Sequence, residues 1–293
     1  MSPGIRARPS SSSREIDNGP VTLHVEVDGD DGAPPLLMMH GITMSGRTWE
    51  WVVPDLVDRF RVLRLDFRGH GRSGRAPGAY QPADYVGDAV AVIEQVAGGP
   101  CLLVGHSLGG MTAAALAQQH PELVRGAVLE DPPLGAVGRA LDDNSLLTGF
   151  ALMRESVPRM QAQQIPRDVL AGILAKAPSP AGPPFGELLH ADALDVMAET
   201  MLQLDASVLD GVVDGTTVPA YDPALGIPVP ALVVGADPAS PDAVVRPAQA
   251  EQLRQVSPHV DVQVVSGASH LLHDELAHRD DFRRLLLAFL ATT

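Results

Sequence analysis

The chain has 293 residues, 45% of them hydrophobic and 19% charged, which is enough apolar material for one large globular domain or for a domain carrying an insertion. The 36 acidic residues outnumber the 21 basic ones, giving a formal charge of −15, so bulk attraction to nucleic acid or to an anionic membrane is excluded. The single cysteine, Cys101, rules out an intrachain disulfide, and no apolar run approaches the ~18 residues of a membrane span.

Residues 1–13 read as a mobile, serine-rich tail without the apolar stretch of a secretory signal, and a cytoplasmic location is expected. After the turn pair Asn18-Gly19, VTLHVEV (21–27) alternates like a half-buried strand. PLLMMHG (35–41) is a short continuous apolar run. RVLRLDFRGHGRSG (61–74) begins as a strand and breaks into a glycine-rich loop, in which Asp66 and Arg68 are expected to pair. Residues 83–97 carry a helical pattern that Gly98-Gly99-Pro100 stops. CLLVG, a helix over 107–119 and the strand GAVLE (126–130) follow. Between Pro132 and Pro228 the pattern is helices, loops and prolines. PALVVGAD (230–237) and VDVQVVSG (260–267) resume the strands, with a helix at 243–255 between them. A last helix places Phe282, Leu285, Leu286, Phe289 and Leu290 on one stripe.

Strands alternating with helices imply an α/β fold with a mostly parallel sheet covered on both faces, its first pair antiparallel. The expected division is a core of residues 14–132 and 228–293, with 133–227 as a helical cap over the carboxyl edge of the sheet, where ligands bind in such folds.

Ser107 lies in Gly-x-Ser-x-Gly between a strand and a helix, a context that exposes a serine hydroxyl on a sharp turn and aims helix N–H groups at it. A serine needs a base, and His270 follows the final strand. His273, three residues on, reads as a structural hydrogen-bonding residue, and His120 as a helix C-cap. The base needs a carboxylate. Asp237, at the end of PALVVGAD, is the leading choice. Glu130 is the main alternative, and Asp131 and Asp242 are further ones. HGITMSG (40–46) would supply the N–H of Ile42 as an oxyanion donor beside that of Leu108. Trp49 is either core or a substrate-binding wall. Met153, Met160, Met197 and Met201 would fill the cap, chiefly its own core. No phosphate loop is present and no His/Cys/Asp/Glu set has metal-ligand spacing, so neither metal nor cofactor is expected.

HGITMSG, DFRGHGRSG, GHSLGG, VVGADPASP and SGASHLLHDE, in this order, resemble the α/β-hydrolase superfamily. The resemblance implies an eight-stranded core with a cap and a triad of Ser107, His270 and Asp237, with Ile42 and Leu108 as oxyanion donors. The superfamily spaces its acid as Gly-x-x-Asp, whereas Gly235-Ala236-Asp237 is one residue shorter, so Glu130 stays in play. The expected activity is hydrolysis of a carboxylic ester or lactone of a small molecule with an apolar portion. The alternatives are carbon–carbon bond or thioester hydrolysis on the same triad, or a small-molecule receptor of the same fold. Substrate identity and oligomeric state have no signature in the sequence.

Overall fold

A computed structural model describes residues 11–135 and 144–293. The strands are β1 (Ser11–Asn18), β2 (Val21–Asp28), β3 (Pro35–Met39), β4 (Arg61–Leu65), β5 (Cys101–His106), β6 (Val124–Glu130), β7 (Ala231–Gly235) and β8 (Val260–Val264). They form one eight-stranded sheet in the order β1-β2-β4-β3-β5-β6-β7-β8. The pairs β1–β2 and β2–β4 are antiparallel, and every other pair is parallel.

The pattern of burial explains the order. β5 and β7 are buried along their whole length, as central parallel strands must be. β1 and β8 alternate or stay exposed, and both sit at edges. β1 corrects the reading of residues 1–13 as a tail: residues 11–13 are already strand, zipped onto β2 through Ser11↔Asp28 to Ser13↔Glu26. Residues 1–10 lie outside the described residues.

Helices cover both faces. α1 (Val53–Leu56) and α10 (Arg279–Leu290) pack on one side with Trp49, Phe60, Leu36 and Val104. α2 (Pro82–Val92), α3 (Leu108–Gln119) and α9 (Pro247–Val256) pack on the other with Leu37, Leu63 and Leu103. α2 opens with a capping box between Gln81 and Asp84, and a π-helical turn over Ile93–Ala97 carries it to Gly98, in the left-handed region at φ 75°. His120 is the C-cap of α3. α10 buries Phe282, Leu285, Leu286 and Leu290, the stripe its spacing predicts. Cys101 is buried at the start of β5, and burial pushes its thiol up to about 12, so it is an inert core residue.

Between β6 and β7 the chain forms α4 (Ser145–Ala162), α5 (Arg167–Leu174), α6 (Phe185–Leu188), α7 (Ala191–Gln203) and α8 (Asp210–Val213). This block has its own apolar cluster around Leu146, Phe150, Val157, Leu170 and Leu194, and Met197 and Met201 are buried in it. Met153 and Met160 pack against the same cluster, so all four methionines serve the block's interior. It meets the sheet domain through Ile42, Tyr80 and Val244. Asp205 ties the two together: its N–H donates to Gly69 O at 2.8 Å, and its carboxylate accepts from Tyr80 Oη at 2.7 Å. Among the described residues, no helix is long and apolar enough to cross a membrane.

Candidate active site

Ser107 follows β5 directly and precedes α3, with φ 50° and ψ −110°. A non-glycine residue in that region is strained, and it holds there because its surroundings over-determine it. Its N–H donates to Glu130 O at 2.8 Å, its own carbonyl accepts from Met111 N at 2.9 Å, and Gly109 N–H donates to His40 O at 3.1 Å. The turn fits only because two glycines flank it. A Cβ on Gly105 would lie 2.3 Å from the carbonyl carbon and oxygen of Gly109, and a Cβ on Gly109 would lie 2.3 Å from Met39 O. These obstacles are backbone and cannot swing away.

His270 stands beside this turn. His106 Nε2–H donates to His270 O at 2.9 Å, and the two rings lie 4.7 Å apart between centroids. The loop carrying His270 is fixed further by Ser269, whose N–H donates to Glu275 at 2.7 Å and whose hydroxyl also donates to that carboxylate.

The carboxylate that meets His270 is Asp131. Its Oδ2 lies 2.7 Å from His270 Nδ1. An ionised carboxylate only accepts, so Nδ1 carries the proton and Nε2 is left as the basic nitrogen. Asp131 is fully buried and has φ 37°. Three main-chain N–H groups complete its shell: Val244 at 2.9 Å, Val245 at 3.0 Å and Ala236 at 3.3 Å. Burial works against a charged His270, but the hydrogen bond and charge of Asp131, helped by Asp242 and Glu130, hold its pKa above the ordinary 6.5.

Asp237, the expected acid, does not meet His270 Nδ1. Asp237 is at the surface, where it accepts from Ala239 N at 2.9 Å and Gly267 N at 2.7 Å, and these N–H groups hold its carboxyl below the usual range. Its side chain thus caps local turns. Glu130 is not beside His270 Nδ1 either. It is fully buried with Oε2 2.8 Å from His273 Nδ1, and Oε1 accepts from His273 N at 2.9 Å. Asp242 takes the Ser240 hydroxyl at 2.5 Å.

His273 is thus structural, as its position suggests. Its Nε2 lies 2.8 Å from Thr48 Oγ1 and 3.4 Å from Asp274. Burial opposes its charge, yet Asp274 and Glu130 raise its pKa above the ordinary value. Trp49 is core, not pocket wall: it is fully buried and stacks on His273 at 4.4 Å. His106, Glu130 and His273 do bring three ligand-type atoms within 4.8 Å of one another, a grouping that sequence spacing does not show.

Leu108 and Ile42, the two expected oxyanion donors, line one cavity with the strained serine. Leu108 is the first residue of α3, so its N–H has no acceptor within the helix. Ile42 belongs to the loop after β3, and a Cβ on the neighbouring Gly41 would lie 3.4 Å from Ser107 Cβ. Asp66 braces that loop by accepting from Gly46 N at 2.7 Å. The expected Asp66–Arg68 pair does not form. Arg68 instead binds the buried Asp88, Nη2 to Oδ1 at 2.7 Å.

Ser107, Ile42 and Leu108 line a cavity of about 60 Å³. Its other walls are Tyr80, Pro82, Tyr85 and Met111 from the sheet domain, Pro133 after β6, and Phe150, Val208, Val212 and Thr217 from the inserted block. Among the described residues, none of these walls is charged at neutral pH.

Comparison with known proteins places this geometry in context. Residues 34–276 match the family model of the alpha/beta hydrolase fold. A 2-(acetamidomethylene)succinate hydrolase of Mesorhizobium japonicum is 30% identical over 266 residues, covering 89% of this chain and 90% of its own. An sn-1-specific diacylglycerol lipase of Mus musculus is 27% identical over 288 residues, covering 96% and 89%. The crystal structure of E-2-(acetamidomethylene)succinate hydrolase superposes with a TM-score of 0.73 at 25% identity, covering 96% of this chain and all of that one. The enol-lactonase of Burkholderia xenovorans superposes with a TM-score of 0.69 at 22% identity, covering 95% and 100%.

Proposed function

The chain belongs to the alpha/beta hydrolase fold family, and from that premise we propose that it is a serine hydrolase of neutral carboxylic esters or lactones, with Ser107, His270 and Asp131 as its triad. The observation that carries the reading is the 2.7 Å contact of Asp131 with His270 Nδ1 beside a serine on a strained turn.

In this reading Ser107 Oγ attacks the substrate carbonyl carbon while His270 Nε2 takes the hydroxyl proton. The carbonyl oxygen becomes an oxyanion held by the N–H groups of Ile42 and Leu108, and the positive end of α3 favours the same charge. Asp131 stabilises the imidazolium and keeps its tautomer. Collapse of the tetrahedral intermediate expels the alkoxide, which takes the proton from His270. Water then gives its proton to His270, attacks the acyl-enzyme, and frees the acid and Ser107.

The cavity supports a neutral acyl group. The relative from Mesorhizobium japonicum is named for a succinate, a dicarboxylate. A dicarboxylate calls for guanidinium or ammonium partners, and the described cavity walls offer none. The diacylglycerol lipase and enol-lactonase names point to esters and lactones, which suit an apolar wall better.

A fluorophosphonate probe is expected to label the protein on Ser107, read by mass spectrometry of the peptide. Neutral p-nitrophenyl esters are expected to exceed monoesters of succinate in kcat/KM by about 10- to 100-fold, since an unpaired buried carboxylate is costly. An adduct on another residue, or a preference for the succinate esters, would remove the proposal.

The pKa of His270 adds a pH prediction. The base works unprotonated, and its pKa is raised above 6.5. The acid limb of kcat/KM against pH is therefore expected above that value. In Asp131→Asn the partner charge is lost and burial dominates, so the limb moves to lower pH. A limb that stays in place would show that another group sets it.

A further inference from the structure

Tyr85, in α2, lines the same cavity as Ser107 and is 2% exposed. Its hydroxyl is buried and has no hydrogen-bond partner among the described residues. The ring itself is well seated, edge-on to Phe67 at 5.2 Å and to His70 at 6.3 Å between centroids. Tyr80, also on the cavity wall, makes the contrast. Its hydroxyl donates to Asp205 at 2.7 Å and accepts from Ala76 N at 2.7 Å.

A buried hydroxyl without a partner is destabilising, and the cost is avoided by phenylalanine, which fills the same space. A phenol at such a position, on the wall of a mostly apolar cavity, needs a ligand atom to justify it. Ligand cavities of this kind orient their occupant with a few polar groups placed among apolar ones. We infer that Tyr85 is a specificity-determining residue whose hydroxyl donates a hydrogen bond to an oxo, hydroxyl or ether oxygen carried by the acyl portion of the substrate. Burial keeps Tyr85 protonated by raising its pKa well above the ordinary tyrosine value, so it is available as a donor at any working pH. This inference rests on the serine-hydrolase reading and narrows its substrate class, from a neutral apolar acyl group to one bearing a single hydrogen-bonding oxygen.

The test compares p-nitrophenyl heptanoate with its 4-, 5- and 6-oxo derivatives in wild type and Tyr85→Phe. In wild type at least one oxo isomer is expected to exceed the plain ester in kcat/KM by about 10- to 100-fold, the discrimination that one buried hydrogen bond supplies. In Tyr85→Phe that ratio is expected to fall to near one, through loss of the oxo ester's advantage. The variant is also expected to melt higher than wild type, because an unpaired hydroxyl has gone. Wild-type turnover of all four esters at equal rates, or an oxo preference that survives in Tyr85→Phe, would overturn the inference while leaving the serine hydrolase intact. A lower melting temperature would show that the hydroxyl has a structural partner, and would overturn it too. Failure of wild type to hydrolyse any of the four would remove the hydrolase reading, and the role of Tyr85 with it.

Discussion

Asp131→Asn is expected to lower kcat by about 10⁴-fold, the scale on which a triad fails when its imidazole takes the wrong tautomer. The amide presents either an oxygen or an NH₂ to His270. Ala236 and Val245 donate their N–H groups to Oδ1, while Val244 N–H donates to Oδ2, the oxygen that meets His270, so an amide oxygen at the Oδ1 position keeps two of the three donors and turns the NH₂ towards the histidine. Nδ1 must then become the acceptor, and Nε2 acquires the proton that should come from Ser107. Asp237→Asn is expected to change kcat by no more than about twofold, as for other surface substitutions, because its partners are local turn N–H groups. Glu130→Gln is a distinct case. It breaks the buried contact with His273 and should appear mainly as lost thermal stability, with the acid limb of the pH profile little moved. Steady-state kinetics and melting of the three variants separate these roles. A large kcat loss in Asp237→Asn with little in Asp131→Asn would move the acid to β7.

Gly109→Ala is expected to cost about 3 kcal/mol or more, at the upper end of overpacking effects, and to lower the melting temperature by roughly 6–12 °C for a chain of this size. The added methyl meets Met39 O at 2.3 Å, Met39 C at 2.6 Å and His40 O at 2.9 Å. All three are backbone atoms at the end of β3, just before the loop that carries Ile42. Relief therefore requires α3 and that loop to separate, which also spreads the two expected oxyanion donors. Activity is expected to drop further than the loss of folded protein explains. Gly172→Ala is the control, since nothing lies within 4 Å of the added methyl. Equal behaviour of the two variants would show that close approach at Gly109 is unimportant.

The sequence made most of this architecture readable, and the misses have physical reasons. The central strands were legible because burial on both faces leaves continuous apolar runs. β1 was not, because only Ile16 in it is buried, so it lacks any alternation. Its one cue was the Asn18-Gly19 turn, which needs a strand on each side. Ser107 and His270 of the proposed triad are legible as candidates because motif and strand position agree. Asp131 was among the alternatives but ranked below Asp237 and Glu130. The cue lay in the register. His106 pairs with Glu130 across β5 and β6, so the residue after each strand stands beside the other, and those residues are Ser107 and Asp131. Strand pairing is not written in either strand alone, so the positional argument favoured β7. The buried bridge of His273 between Glu130 and Asp274 was out of reach, since it depends on which side chains lose water together.

The shell around Asp131 also sets how the 236–245 segment is free to change. It supplies main-chain N–H groups to the carboxylate. Any residue with an amide hydrogen can do that, and proline cannot. Natural variation there can thus be wide in side-chain chemistry while remaining narrow in length and closed to proline at 236, 244 and 245. A stretch that diverges freely by letter would in this way be fixed by outline.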